Sequence, residues 1–245
     1  KTLGEHLDTG WDEMAEEIYY TCTDEEFWYA EGALAAAERL KFGTTTGVSM
    51  VGSTPRVDII EPVGASLAGG SSVGLRQLSG IGSANGPWPK RARLFEEDGS
   101  CRSYSVTPQQ AWASTEAAVR AYNGRHPREL CIVAPGKMGF RPDESVESNI
   151  RHNREMFRIA QEYGVPLHTH ATGGDVQFLY EHTPEILTSH LSLTHSTGYS
   201  QRELEILRDT GAYVFHGPTT NGNIRGHCPV MEMLDMGVHV AVVTD

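Results

Sequence analysis

The sequence has few basic residues for its number of acidic ones, and this shortage excludes one class of protein. Its 20 Lys and Arg residues stand against 32 Asp and Glu residues, which leaves a formal net charge of -12. A protein that binds nucleic acid presents a basic face to the phosphates. The charge balance therefore predicts a small-molecule substrate and no nucleic-acid partner.

The sequence also lacks paired cysteines, a long hydrophobic run and an N-terminal leader pattern. Its four cysteines, Cys22, Cys101, Cys131 and Cys228, form no CxxC pair. This scatter is typical of reduced thiols rather than of a disulfide framework. No hydrophobic run approaches the roughly 20 residues of a membrane-spanning helix, and residues 1–10 do not resemble a signal peptide. We therefore expect a cytoplasmic protein with no membrane partner.

Helix and strand patterns alternate along most of the chain. Helix signals at residues 10–41, with Thr23 and Glu26 as a capping box, precede the β-branched run GTTTGVSMVG. Residues 56–72 predict a short strand or loop, and residues 81–103 predict a long irregular excursion. The alternation then resumes and continues to the last run, VHVAVVTD.

This alternation predicts an α/β fold with a parallel sheet. Seven candidate strands suit a closed (β/α)8 TIM barrel better than an open sheet, which would usually show a glycine fingerprint after its first strand. The length of 245 residues suits one barrel-sized domain.

Three strand-like runs end on a potential metal ligand or proton carrier. PLHTH ends at His170, LSLTH ends at His195 and GVHVAVVTD ends at Asp245. The active sites of α/β barrels lie at the carboxyl ends of the strands, so these side chains are expected to share one cavity. A lone histidine is more often a satisfied polar residue, but three such strand ends favour a catalytic metal site. We predict His170, His195 and Asp245 as metal ligands, with Asp245 and His195 also catalytic.

Weaker signals surround this trio. His168 lies two residues before His170 and therefore faces the same side of its strand. It is either a further metal ligand or a residue that lies deeper in the barrel. Lys137 follows the strand RELCIVAPG and is a candidate for a carboxylated, metal-bridging lysine. Arg76 is a candidate substrate-binding residue, because an arginine inside a strand is costly unless it is paired. His216, which ends the run AYVFH, is a second candidate. His216 is equally able to bond to the loop that follows it.

The composition of GPTTNGNIRG, with Asn221 and Asn223, is explained by turn chemistry alone. No functional role is assigned to either residue.

An ordered set of segments resembles a known family. The set is LKFGTTTG at 40–47, VPLHTHATG at 165–173, LSLTHSTGYSQRELEILRDTGAYVFHGPTTN at 191–221 and GVHVAVVTD at 237–245. It resembles the amidohydrolase superfamily, in the branch of cytosine deaminase, adenosylhomocysteine deaminase and triazine chlorohydrolase.

The resemblance implies a role for each member of the trio. His170 corresponds to the strand-5 metal ligand, and His195 to the strand-6 histidine that binds metal or the attacking water and substrate. Asp245 corresponds to the strand-8 aspartate that ligates metal and shuttles protons. A divalent metal is implied, with zinc as the first choice and Fe, Mn or Co as alternatives, and a homo-oligomer is expected.

The sequence departs from the family at two places. The HxH pair of strand 1 is not found, so residues 1–245 are expected to cover strands 2 to 8, without strand 1 and the small β-sandwich domain. The family's deaminases carry a glutamate three residues after the strand-5 histidine, where this chain has Gly173. A positioned general acid contributes about 10²–10⁴-fold, and Asp175 is predicted to lie in a following loop.

Three hypotheses follow. The first is a metal-dependent hydrolase acting on a carbonyl-type carbon of an amide, urea, carbamate or thiocarbamate. The second is a deaminase or chlorohydrolase of an amino-heterocycle such as a pyrimidine, purine, pterin or triazine. The third is a metal-free barrel without catalytic activity.

Overall fold

Parallel strands connected by helices make up both compact units into which the chain divides, Lys1–Ala134 and Pro135–Asp245. The computed structural model describes residues 23–50, 58–82, 88–96, 98–142, 144–222 and 226–244. Within these ranges there is no helix whose length and hydrophobicity would let it span a membrane.

The first unit contains a three-stranded parallel sheet and a separate antiparallel hairpin. In chain order its elements are α1 Glu25–Lys41, β1 Thr46–Met50, α2 Glu61–Ser72, β2 Arg76–Ile81, β3 Lys90–Phe95, β4 Cys101–Val106, α3 Pro108–Tyr122 and β5 Glu129–Val133. Strand β2 pairs in parallel with β1 on one side and with β5 on the other, and β3 pairs with β4 in the hairpin.

The second unit contains four parallel strands in the order β6, β7, β8, β9. Its elements are α4 Val146–Tyr163, β6 Leu167–Thr172, α5 Asp175–His182, a 3-10 turn at Pro184–Ile186, β7 Leu191–Thr197, α6 Gln201–Thr210, β8 Tyr213–His216, α7 Pro218–Thr220, α8 Val230–Asp235 and β9 His239–Val242. The fully buried side chains of Leu191, Leu193 and Leu207 belong to its core.

Local sequence signals explain where the helices of the second unit begin and end. The Ser200 side chain accepts a hydrogen bond from the Glu203 N–H, and the Glu203 carboxylate accepts from the Ser200 N–H, which completes a capping box. Gly164 and Gly211 end α4 and α6 in the left-handed region. The predicted helices at these positions are confirmed. At α1 the predicted capping box is wrong, because Asp24 caps the helix by accepting from the Phe27 N–H.

The prediction of a strand or loop at residues 56–72 is wrong for residues 61–72, because Glu61–Ser72 forms α2, whereas residues 58–60 are a loop. Glycine lowers helix propensity by about 1 kcal/mol, but here glycines permit close packing of α1 against α2. A Cβ added at Gly32 would lie 2.3 Å from the Ser66 carbonyl oxygen. Tertiary packing therefore outweighs the local preference.

The prediction of an irregular excursion at residues 81–103 is also wrong in part, because β3 and β4 form a hairpin there. The Glu96 N–H donates to the Ser100 carbonyl, and Gly99 adopts a positive φ of 81°. An Asp-Gly pair between alternating residues is a recognised hairpin signal. The high proportion of charged, Gly and Pro residues around it obscured that signal.

The predicted α/β class and the parallel pairing of the strands are confirmed. The closed barrel, and the absence of strand 1 and of a β-sandwich domain, stay predictions.

Candidate functional site

Two histidine rings face each other at the carboxyl ends of neighbouring strands in the second unit. His170, near the end of β6, places its Nδ1 2.9 Å from the Nε2 of His195, near the end of β7. The ring centroids are 4.9 Å apart. His195 is only 3% exposed, whereas His170 is half-buried. The structure therefore brings together the two histidines that were predicted as metal ligands.

An irregularity in β7 turns His195 toward His170. In the parallel register His170 pairs with Thr194, and His195 pairs with Ala171. Because side chains alternate between faces, a regular strand would point His195 away from the face that carries His170. The register shifts after Ala171, and His195 and Ser196 have φ values of 68° and 52°. Such residues cost of order 1–3 kcal/mol each and cluster at functional sites.

Asn221 connects His195 to His216. Its Nδ2 donates to the His195 carbonyl at 2.8 Å and lies 3.0 Å from Nδ1 of His216, while its Oδ1 lies 3.3 Å from Nδ1 of His195. Asn221 is 2% exposed. Sequence reasoning assigned Asn221 to a turn and missed this contact, because turn composition carries no information about which side chain points inward. His216, predicted to bind substrate, lies at the carboxyl end of β8.

His168 lies deeper in the second unit. Its ring is 4% exposed, and its Nδ1 lies 2.8 Å from the Ser192 hydroxyl of the neighbouring strand. The ring centroids of His168 and His170 are 6.4 Å apart. This bond to Ser192 is what a deeper, structural residue would make, and metal ligation by His168 stays a prediction.

Lys137 pairs with Asp175, whose carboxylate is also bonded to the backbone. The Lys137 Nζ lies 3.1 Å from Asp175 Oδ2. Oδ2 also accepts from the Thr172 N–H at 2.7 Å, and Oδ1 accepts from the Phe140 N–H at 3.0 Å. Burial raises the pKa of the Asp175 carboxyl, whereas the Thr172 hydrogen bonds and the Lys137 ammonium oppose that rise.

The prediction that Asp175 lies in a loop is wrong, because it is the first residue of α5. Its side chain folds back onto the end of β6 and is 2% exposed. Every contact described above is with a donor, so Asp175 acts as a clamp between Thr172, Phe140 and Lys137.

Gly173 stands in a place where no side chain fits. Its N–H donates to the Thr197 carbonyl at 2.8 Å. A Cβ added to Gly173 would lie 2.2 Å from the Gly198 carbonyl oxygen, and both atoms of that contact belong to the backbone. The close approach of the ends of β6 and β7 therefore leaves no room for an acidic side chain at this position.

Arg76 belongs to the first unit, and two other residues considered in the sequence analysis are not described by the structure. Arg76 is the first residue of β2 in the first unit and has an exposed side chain, so the cost of burying a charge no longer argues for a functional role. Its substrate role stays a prediction. Asp245 and Asn223 lie outside the described residues.

The His170 and His195 nitrogens fit a pair of metal ligands. Two nitrogens bound at the usual zinc distance in a tetrahedral site would be about 3.3 Å apart, close to the observed 2.9 Å. In the ranges that the structure describes, no cluster of three or more His, Cys, Asp or Glu side chains is arranged for a metal ion. A third ligand in this trio would have to be Asp245.

Comparison with curated proteins finds that the chain is similar to parts of several deaminases. The chain is 28% identical over 232 residues to 5-methylthioadenosine/S-adenosylhomocysteine deaminase 2 of Archaeoglobus fulgidus, which covers 91% of this chain and 49% of the relative. It is 31% identical over 150 residues to an isoxanthopterin deaminase from an unknown prokaryotic organism, covering 54% of this chain and 30% of the relative.

Comparison with solved structures supports the same fold. A variant of atrazine chlorohydrolase from Arthrobacter aurescens, complexed with zinc and atraton, superposes with a TM-score of 0.70 at 17% identity. The match covers 97% of this chain and 51% of that one.

The chain is therefore similar to deaminases, and in fold to a chlorohydrolase, which is the similarity that the amidohydrolase resemblance implies. The resemblance inferred from the sequence is thereby confirmed. No protein-family model matches the chain. The chain spans about half or less of the length of these relatives.

Proposed function

We propose that the protein is a metal-dependent hydrolase in which water attacks a carbonyl-type carbon of an amide, urea, carbamate or thiocarbamate. The observation that carries the proposal is the approach of His170 Nδ1 to His195 Nε2 at the ends of adjacent parallel strands. Similarity to deaminases, and to a chlorohydrolase structure that contains zinc, supports it.

His170, His195 and Asp245 would hold the metal. Zinc is the first choice because imidazole and carboxylate donors suit it, and the similar chlorohydrolase structure contains zinc. Fe, Mn and Co are the alternatives. A bound divalent cation supplies positive charge that lowers the pKa of water and polarises a carbonyl.

The side chains of the protein divide the remaining work. Asp245 accepts the proton that the attacking water loses as its oxygen bonds to the carbonyl carbon, and returns it to the leaving amine as the carbon–nitrogen bond breaks. His195 orients the water or stabilises the developing oxyanion. His216 contacts the substrate. The homo-oligomeric state and the cytoplasmic location stay predictions.

Deamination or dechlorination of an amino-heterocycle is the second candidate. The names of the curated relatives favour it, because they are purine-derivative and pterin deaminases. The geometry at Gly173 disfavours it, since a carboxylate cannot be added there without separating β6 from β7. Asp175 is engaged in its clamp. A deaminase would therefore need another group to protonate the ring nitrogen.

A substrate panel with defined metals tests the proposal. The protein, freed of metal and then supplied with Zn²⁺, Co²⁺ or Mn²⁺, is offered amides, ureas and carbamates, and separately aminopyrimidines, purines, pterins and triazines. We expect metal-dependent turnover of the first group, and loss of turnover in Asp245→Asn and His195→Ala. The exposed His190→Ala is the matched control.

Three outcomes would contradict parts of the proposal. Clear ammonia release from the heterocycles alone would establish the second candidate instead. An Asp245→Asn variant with full metal content and full turnover would remove the role of Asp245. A protein that binds no divalent metal and turns over no substrate would support the metal-free barrel.

A further inference from the structure

The Asn221 side chain makes a set of contacts that determines where the protons of two histidines lie. An amide nitrogen only donates and an amide oxygen only accepts. The His195 carbonyl, 2.8 Å away, only accepts, so the amide nitrogen must be the atom that faces it. The orientation of the Asn221 amide therefore follows from the chemistry of its partner.

This orientation assigns the remaining contacts. The amide nitrogen also lies 3.0 Å from Nδ1 of His216, so that ring nitrogen must be the acceptor. The amide oxygen lies 3.3 Å from Nδ1 of His195, so that ring nitrogen must carry a proton. A neutral imidazole has one donor and one acceptor nitrogen. One asparagine thereby specifies both tautomers.

We propose that Asn221 is a positioning residue that holds His195 in its Nδ1–H tautomer and His216 in its Nε2–H tautomer. The lone pair on Nε2 of His195 is then committed to the side where His170 lies. His216 keeps Nε2–H as its ring donor, which suits an acceptor atom of a substrate. The importance of these tautomers for metal and substrate rests on the proposed function, whereas the tautomers themselves do not.

The backbone holds Asn221 in place on both sides. Its N–H donates to the Gly217 carbonyl at 2.9 Å, and its carbonyl accepts from the Gly226 N–H at 2.7 Å. The carbonyl that its side chain bonds belongs to His195, which has a φ of 68°. The hydrogen bond from Asn221 therefore supports the same backbone turn that directs the His195 ring toward His170.

The tautomers are read directly from ¹⁵N NMR spectra of the imidazole nitrogens in the metal-free protein at neutral pH. We expect a protonated Nδ1 and an unprotonated Nε2 for His195, and the reverse for His216. His170 should carry its proton on Nδ1, where it donates to Nε2 of His195. Addition of Zn²⁺ should displace that His170 proton and leave the Nδ1 proton of His195 in place.

Two variants separate the contacts of Asn221. Asn221→Asp keeps an acceptor for His195 but loses the donor, so His195 should retain its tautomer while His216 moves its proton to Nδ1. Asn221→Leu removes both contacts, so both rings should sample both tautomers, and Zn²⁺ affinity should fall by about 10- to 100-fold. Asn153→Leu is the control, because Asn153 is an equally buried asparagine that donates to the Met138 carbonyl.

The inference is overturned if metal-free wild type shows Nε2–H on His195, a result that needs no variant to fold. It is also overturned if folded Asn221→Leu keeps both wild-type tautomers. If the tautomers are found as stated but Zn²⁺ does not bind, the proposed function fails and the positioning role of Asn221 stands. The control should lose stability without changing the His195 or His216 signals.

Discussion

The two units have similar architectures but use their buried polar side chains differently. In the first unit, Gln77 donates to Ser66 at 3.2 Å, and Glu129 accepts from Ser71 at 2.7 Å and from Arg125 at 2.8 Å. These donors and acceptors satisfy one another. In the second unit, the imidazole nitrogens of His170 and His195 face each other beside a backbone turn of positive φ. The histidine pair of the second unit therefore lies beside backbone strain of about 1–3 kcal/mol per residue, at His195 and Ser196.

Close backbone contacts at glycine show the same contrast. Gly32 lets two helices pack in the first unit, whereas Gly173 lets two strand ends meet beside the histidines in the second. Neither glycine leaves room for a side chain, but only Gly173 lies at the position where the related deaminases are expected to carry an acid.

Replacement of Gly173 by glutamate is expected to have the largest effect on stability. The new Cβ would lie 2.2 Å from the Gly198 carbonyl oxygen, so the strand ends must separate, at a cost of about 3 kcal/mol. Urea unfolding measures the loss, and ¹⁵N spectra report any displacement of His195. Gly32→Ala should be destabilised by a comparable amount without altering those spectra. A Gly173→Glu variant as stable as wild type and active as a deaminase would contradict our interpretation of this position.

The free energy of unfolding should fall at acidic pH because of one buried histidine of the second unit, His152. His152 is 4% exposed, and burial, with the Arg141 guanidinium as a second cause, lowers its pKa from 6.5 to about 3. As the pH falls below 6.5 the unfolded chain binds a proton that the folded chain refuses, so stability is lost between those two pKa values. From pH 6.5 to pH 5 the expected loss is about 2 kcal/mol.

Urea unfolding across that pH range, compared between wild type and His152→Gln, isolates this contribution. His152→Gln should remove about 2 kcal/mol of the pH-dependent loss, while the exposed His190→Gln should change little. Equal pH dependence in wild type and His152→Gln would show that folding does not lower the pKa of His152.

Lys137→Met should produce the smallest of these effects. It removes the ion pair with Asp175 but leaves the N–H donors of Thr172 and Phe140, so we expect a loss of about 1–2 kcal/mol in the free energy of unfolding. Zn²⁺ affinity should stay within about twofold of wild type, because the ammonium faces a carboxylate. Lys137→Arg, which keeps the charge, should recover part of the stability. A tenfold or greater loss of Zn²⁺ affinity would instead support a metal-bridging lysine.

Sequence patterns were informative where a local rule decides the structure. The alternation of helices and strands follows from caps, glycine stops and hydrophobic period, and it placed His170 and His195 at neighbouring strand ends. The pairing of the two rings was expected from that placement. The backbone turn at His195 was not expected, because the register shift between Ala171 and Thr172 depends on how β6 and β7 meet.

Long-range contacts account for the features that the patterns missed. Asn221 and Asp175 are short polar residues with ordinary turn and helix-start chemistry, and their roles come from partners 26 and 35 residues away. The helix α2 was missed because its glycines favour it only through packing against α1. Local helix propensity does not include that stabilisation.

The most direct test of the account is Zn²⁺ affinity, measured by competition with a chromophoric chelator, for wild type, His170→Ala, His195→Ala and the exposed control His190→Ala. The account predicts tight binding in wild type and in the control. Removal of a residue that only supports a metal ligand typically lowers metal affinity by about 10- to 100-fold. The Zn²⁺ affinity of His170→Ala and of His195→Ala should fall by more than that. Equal affinity in all four proteins would contradict the assignment of the His170 and His195 pair as the metal-binding core of the site.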